Sequence, residues 1–472
     1  MSSSKATPSN RRSALAAVAV VAVAAVAVLA PRTSDVAASR AAVLAKAPAG
    51  SGSSGELVTR TILRCPDYDA GPGVLTAVRV GLARTDERLG SGSVGRGAVD
   101  GDLRTGDLSR GNLLGLSADG GPTVVGTGAS AVGIFAFRSD RRASGVLAVA
   151  PCVAPRAQWW FTGAGAGLDH SSTLLLTNVD PGPAVVDLRV LGPAGEARTV
   201  GTTGITLPPR SEKRIDLVDI APETDELSLQ VHATRGRVAA SVVDSLRLRA
   251  SALPGQEWVS GTERPSRTVR LGGLPARAGA ARLLIANPAE FEAVVDVRVA
   301  GRSGTFAPAG LDPVTVPPGG LEQVDLDGSL PAGEPVSLML RSRVPVVASV
   351  RYGSGADHAY GNPVVPLTGP AAAPVVAGAD ASVQLTAGAT AATADIAAFD
   401  NGGRLVASTT LSIPAAATRT WSPPGSAGYA TVTPQRGVVS GAVAYSGAGV
   451  ADLPLTDLPI RVERPSVRAV LR

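Results

Sequence analysis

Val185-Val186-Asp187-Leu188-Arg189-Val190 alternates apolar and charged side chains, and Val294-Val295-Asp296-Val297-Arg298-Val299 repeats the pattern 109 positions later. A period of two puts Val186, Leu188 and Val190 on one face of a β-strand, with Asp187 and Arg189 on the other. The similarity extends both ways at nearly the same offset. Upstream, Trp159-Trp160-Phe161-Thr162-Gly163 aligns with Thr268-Val269-Arg270-Leu271-Gly272. Next to it, Ser172-Thr173-Leu174-Leu175-Leu176-Thr177-Asn178 aligns with Ala281-Arg282-Leu283-Leu284-Ile285-Ala286-Asn287. Downstream, Leu207-Pro208-Pro209 aligns with Val316-Pro317-Pro318, and Val238-Ala239-Ala240-Ser241-Val242 with Val346-Val347-Ala348-Ser349-Val350. Landmarks kept in register over a little more than 100 residues identify an internal repeat.

A third, fainter copy runs from Val375-Val376-Ala377-Gly378 through Asp395-Ile396-Ala397 to Val438-Val439-Ser440-Gly441-Ala442-Val443. Ahead of Trp159 a diverged copy fits only at its edges, at Val78-Arg79-Val80 and Ala131-Val132-Gly133-Ile134-Phe135. Its Gly- and charge-rich middle, Thr85 to Asp119, reads as a long insertion. Apolar runs recur every 10 to 15 residues between Pro-Gly, Asn-Pro and Gly-Gly turn signals. That spacing gives the seven or so short strands an immunoglobulin-like sandwich requires. The 55 Gly and 36 Pro among 472 residues also suit short strands better than long helices. The fold class expected is all-β: an N-terminal signal or anchor helix, then about four tandem immunoglobulin-like β-sandwich units. The units are placed at 57–154, 155–263, 264–370 and 371–462, with a tail at 463–472. Pro208-Pro209 and Pro317-Pro318 cannot donate ladder hydrogen bonds and belong at strand edges or turns. Asn178 and Asn287 each follow an apolar strand, where the side chain can bond the turn backbone.

Charge separates the leader from the body. The chain has 44 Lys and Arg against 39 Asp and Glu, with a pI near 9.6. Six of the cations (Lys5, Arg11, Arg12, Arg32, Arg40, Lys46) and one acid (Asp35) lie in residues 1–46, which leaves 38 of each sign beyond. The body is formally neutral. With 3% aromatics and no aromatic-interleaved basic patch, a nucleic-acid partner is not expected. Ala14 to Ala30 is an uncharged run of 17 Ala, Val and Leu residues behind Lys5, Arg11 and Arg12. It reads as a signal anchor at 14–30, with a cytoplasmic basic tail at 1–13 and the rest of the chain exported. A cleaved signal peptide is the alternative, although Pro31 follows the best small-x-small site, Val28-Leu29-Ala30. Residues 31–56 read as a flexible spacer. The membrane is thus an expected partner through 14–30, and the location extracytoplasmic. There are two cysteines, Cys65 and Cys152. In an oxidising compartment the simplest reading is one disulfide; a metal pair lacks His or further Cys nearby, and a nucleophilic Cys is the remaining alternative.

Trp-Trp-Phe-Thr-Gly, the Ser-Thr-Leu-Leu-Leu-Thr-Asn strand, the Val-Asp-Leu strand, the Pro-Pro turn and the closing Val-Ala-Ala-Ser-Val together resemble a bacterial extracellular β-sandwich repeat. The whole layout is similar to an actinobacterial family of extracytoplasmic, membrane-anchored proteins of unknown function. The resemblance implies a secreted or anchored envelope protein. Neighbourhood with a membrane glycosyltransferase in that family implies a link to envelope polysaccharide. The opening aromatics are missing from the copies beginning near Thr268 and Val375, so any surface role of Trp159 and Trp160 is confined to one unit.

Sites for chemistry are sparse. The three His (His170, His232, His358) stand far apart, so a zinc site would need ligands from different units. Gly115-Leu116-Ser117-Ala118-Asp119 lacks the last Gly of a nucleophile elbow, and the Ser-x-x-Lys from Ser2 to Lys5 lies in the basic tail. Gly90-Ser91-Gly92-Ser93-Val94-Gly95 fits a dinucleotide fingerprint without a βαβ context. Asp100, Asp102 and Asp107 have Arg104 where a calcium loop needs a ligand. No catalytic, cofactor or metal residue is assigned. Trp159, Trp160 and Phe161 are either core aromatics or a stacking platform for sugar or partner. The expected function is a non-catalytic structural or interaction protein of the cell envelope, with envelope proteins or polysaccharide as partners. The alternatives are a carbohydrate-binding accessory protein and a glycan-acting enzyme whose carboxylates are distant in sequence.

Overall fold

The computed structural model describes residues 56–462 except 68–72, 81–91, 107–110, 112, 118–120, 143–144, 249–253, 277, 309 and 448. The tail at 1–13, the anchor at 14–30, nearly all of the spacer and the 463–472 tail lie outside the described residues, as does part of the Gly90–Gly95 motif. The protein is all-β: among the described residues the only helical turns are Gly128–Ala131 and Leu217–Asp219. No described helix is long and apolar enough to cross a membrane.

The strands form four pairs of sheets. In the second pair, one sheet runs Gln158–Ala164, Leu227–Arg235, Ala184–Gly192, Gly195–Glu196, with Ile205–Leu207 also on Ala184–Gly192. Its mate runs Ser211–Asp216, His170–Asn178, Ala239–Leu246, Gly255–Val259. Counted along the chain without the short Ile205–Leu207 strand, and without its counterpart Val314–Val316 in the third pair, the order is first–sixth–third–fourth in one sheet and fifth–second–seventh–eighth in the other. The same order recurs three times. In the first pair it runs Arg60–Arg64, Thr123–Thr127, Val94–Gly97, Arg104–Gly106, then Leu113–Ser117, Val74–Arg79, Ile134–Arg141, Leu147–Pro151. In the fourth it runs Ala371–Pro374, Tyr429–Arg436, Ala392–Phe399, Leu405–Ile413, then Thr418–Trp421, Ala379–Ala387, Val439–Gly447, Ala451–Pro454. In the third pair a single strand, Val336–Ser354, fills both the sixth and the seventh places, which joins its two sheets into one eight-stranded sheet. Thr85–Asp119, read from sequence as an insertion, instead supplies Val94–Gly97, Arg104–Gly106 and Leu113–Ser117, the third, fourth and fifth strands of the first pair.

The two-residue period is realised as burial. Val186, Leu188 and Val190 are buried in one core and Val295, Val297 and Val299 in the next, while Asp187, Arg189, Asp296 and Arg298 face outward. Each Pro-Pro follows directly on a strand end, after Leu207 and after Val316. The Asn landmarks join distant turns. Buried Asn178 donates to the carbonyls of Gly182 (2.8 Å) and Pro208 (2.9 Å), and its Oδ1 accepts from Asp180 N–H. Asn287 does the same with Phe291, Val316 and Ala289. One amide thus pins both the turn after the second strand and the Pro-Pro turn 30 residues on.

The sheet pairs share cores. The second pair's core takes in Leu284, Val347 and Tyr360 of the third, and the fourth pair's takes in Phe137, Leu147 and Val149 of the first. Ala148 and Ala150 pack with Val243 and Trp258, and Val450 enters the third core. The four eighth strands touch one another in a closed cycle: Leu147–Pro151 with Gly255–Val259, that with Asp357–Gly361, that with Ala451–Pro454, and that with Leu147–Pro151. Glu56–Leu57 pairs antiparallel with Arg461–Val462, so first and last described strands lie side by side.

Candidate functional site

Where the cycle of eighth strands closes, polar groups are buried between sheet pairs at one recurring register. The seventh-strand residues Arg138, Asp244 and Tyr352 occupy equivalent places, as do the eighth-strand residues Trp258, Tyr360 and Asp452 of the following pair. Arg138 lies over the Trp258 ring at 6.0 Å. Tyr360 Oη is 2.8 Å from Asp244 Oδ2. Asp452 presses on Gly273, whose φ of +82° leaves room that a Cβ would fill, and Tyr352 Oη donates to the Gly273 carbonyl (3.2 Å). The Gly of the Trp-Trp-Phe-Thr-Gly motif serves the same junction. Gly163 sits at a bulge with φ +103°, a Cβ on it would meet the Tyr360 ring at 2.6 Å, and its carbonyl is 2.7 Å from Tyr360 Oη.

Asp244 is the centre of the largest network. It is fully buried and gathers Ser172 Oγ–H (2.5 Å), Tyr360 Oη (2.8 Å), His358 Nε2 (3.1 Å) and, as an ion pair, His170 Nε2 (3.0 Å). His170 Nδ1 is held by the Asp225 carbonyl, and Glu226 is paired through both its oxygens with Arg351. Burial acts against the Asp244 charge, but the His170 and His358 contacts outweigh it and hold the carboxyl well below its ordinary range. Burial likewise lowers His170, and Asp244 and then Glu226 reverse this, keeping the imidazolium charged above its usual pKa. For His358 burial wins and the ring is held neutral. Ser172 donates to the carboxylate and not to an imidazole, so the grouping lacks the Ser-to-His bond that activates a hydroxyl nucleophile.

Three further acids, Glu257, Asp357 and Asp452, are buried on the eighth strands, and burial raises each of them. Burial first, then the Asp357 and Asp452 charges, push Glu257 far up, and burial does the same to Asp452. Asp357 is raised by burial to about 7, although Leu147 and Val450 N–H groups bond its Oδ2 at 3.0 and 2.8 Å. These carboxyls lie in no cleft: each is at most 1% exposed.

The sequence-predicted residues fall as follows. Cys65 and Cys152 form a disulfide, joining the end of the first strand to the end of the eighth across the core of the first pair. Trp159, Trp160 and Phe161 are all buried, at 2%, 3% and 1% exposure, and no ring offers a free face to solvent. Trp159 stacks on Phe161 and donates Nε1–H to Val238 O at 2.9 Å. Histidines 170 and 358, from different sheet pairs, meet on Asp244, while His232 is exposed. Asp100 and Asp102 are exposed. Among the described residues no group of three or more His, Cys, Asp and Glu is placed to hold a metal ion. Sequence reasoning missed Asp244, Glu226 and Arg351, because their hydrogen-bond partners lie 72 to 125 positions away, and a lone Asp on an apolar strand was the one available signal.

A cavity of about 300 Å³ opens where the first, second and fourth sheet pairs meet. Phe137, Cys152, Trp159, Ser260, Leu453 and Leu458 are among its walls, and Arg156 is at its rim with the guanidinium 5.1 Å above the Trp159 ring.

Residues 123–424 match the model of a family of unknown function (DUF5719), and the chain belongs to that family. Among curated proteins none matches the chain.

Proposed function

We propose that the protein is a non-catalytic, extracytoplasmic interaction scaffold of the cell envelope, in which the four sheet pairs are tandem immunoglobulin-like sandwich units held on the membrane by the 14–30 helix. The observation that carries this reading is the cyclic packing of the eighth strands around the Asp244 network. Four units locked to one another through buried side chains present one rigid surface, whereas freely linked modules present a flexible string. The basic leader and the balanced body support an exported location, and the Cys65–Cys152 bond suits an oxidising compartment. The buried carboxyls favour cohesion over glycan hydrolysis, which needs two acids facing a shared substrate cleft.

The test has two arms. An alkaline phosphatase fused after residue 462 should be active in cells and lose activity when 14–30 is deleted; an inactive fusion would overturn the location. Site-specific photocrosslinking from exposed Phe291 should capture a recurrent envelope protein, and binding to purified envelope polysaccharide in place of a protein would favour the carbohydrate-binding alternative.

A further inference from the structure

We infer that the cavity between the first, second and fourth sheet pairs binds a small amphiphile, an aliphatic chain ending in one anionic head. Its volume, about 300 Å³, is at the lower end of small-molecule sites. The walls are mainly apolar and come from three sheet pairs: Ile134, Phe137 and Leu63 from the first, Trp159 from the second, Leu453 and Leu458 from the fourth. An apolar body is what such walls accept.

Two polar features set the head group. Arg156 sits at the rim with its guanidinium over Trp159, and no carboxylate among the described residues pairs with it. A cation fixed on an aromatic face keeps its N–H edge directed away from the ring, free for an oxyanion. Ser260 Oγ, on the wall, is buried and has no hydrogen-bond partner. A head group bearing oxygen would satisfy it. The one acid on the lining, Asp457, is already engaged by the N–H groups of Thr368 (3.0 Å) and Gly369 (3.1 Å) and by the Thr368 hydroxyl, which draws it toward its own turn. Arg156 is therefore the charge a ligand meets. A carboxylate and a phosphate monoester share the needed chemistry.

Isothermal titration of the purified 56–472 body, with the disulfide intact, against dodecanoate, dodecyl phosphate and dodecanol below their micellar concentrations tests this. Saturable one-to-one binding of at least one anionic chain, roughly tenfold tighter than dodecanol, is expected from one charge-assisted contact at the rim. The tighter of the two anions identifies the head group as carboxylate or phosphate. Arg156→Gln should bring that anion down to the affinity of dodecanol and leave dodecanol unchanged. Ala154→Phe, at an exposed wall position, should abolish both; Ser260→Leu repeats the blockade from inside the cavity. The thermal transition of each variant establishes that it folds. Absence of saturable binding, or affinity unchanged in Arg156→Gln or in both blocking variants, would overturn the inference. The result is independent of the scaffold reading, because it uses neither the cell nor the membrane segment.

Discussion

Tyr360 and Asp244 meet at 2.8 Å across the second and third sheet pairs, at the register where Arg138 faces Trp258 one junction earlier. The fold thus keeps one geometric contact and changes its chemistry: a cation on an indole, then a phenol on a carboxylate. Where a repeat protein could use one interface throughout, this chain makes each junction distinct, so that neighbouring units cannot exchange places.

Asp244→Asn should be strongly destabilising. Serine, tyrosine and two histidines point at a carboxylate that an amide replaces with a single acceptor, and His170 would keep only Glu226, already paired with Arg351, as a counterion. Removing one partner of a buried ion pair costs roughly 3–5 kcal/mol. Urea unfolding at pH 7 checks this, with Tyr360→Phe expected to lose only about 1 kcal/mol.

Stability should fall as pH rises between about 4 and 7. Asp357 moves from the ordinary aspartate value of 3.8 to about 7 on folding. In that interval the native state keeps a proton the unfolded chain has released, and the slope of stability against pH is negative. Asp244 acts in the opposite sense: its contribution is present above the ordinary value and is lost as pH falls. Asp357→Asn keeps an oxygen for the Leu147 and Val450 N–H groups, so thermal unfolding from pH 5 to pH 8 should show a flatter profile and a higher Tm at pH 8 than the parent.

Reducing the Cys65–Cys152 bond should destabilise the body by about 4–5 kcal/mol in the chain-entropy account, since it closes a long loop. Non-reducing peptide mapping should recover the linked pair. Cys65→Ser/Cys152→Ser should unfold at lower denaturant than the parent, with loss centred on the first sheet pair in hydrogen exchange.

Asn287→Ala should cost about 1–3 kcal/mol, the penalty for leaving buried carbonyls and an N–H unserved. Asn287→Asp should recover little, because a carboxylate accepts from Ala289 N–H but cannot donate to Phe291 or Val316. Differential scanning calorimetry of both variants checks the order.

Much of the fold was legible because burial writes itself into sequence with a two-residue period, as at Val186, Leu188 and Val190. The Asn and Pro-Pro landmarks were legible as turn chemistry, although their being tied to each other was not. The middle of the first sheet pair misled: Gly-rich Val94–Gly97 and Arg104–Gly106 carry too few apolar side chains to show a period, yet they pair as third and fourth strands. The junctions were invisible for a different reason. A single Asp244 or Tyr360 has no local pattern, and its meaning comes from a residue more than 100 positions away.

The pairing of Glu56–Leu57 with Arg461–Val462 makes the chain's order partly a matter of convention. With those strands adjacent, a short linker from Val462 to Glu56 and a new start in the 260–265 connection would give a circularly permuted protein retaining every sheet pair. In such a molecule the third unit would lead and the second would close the cycle.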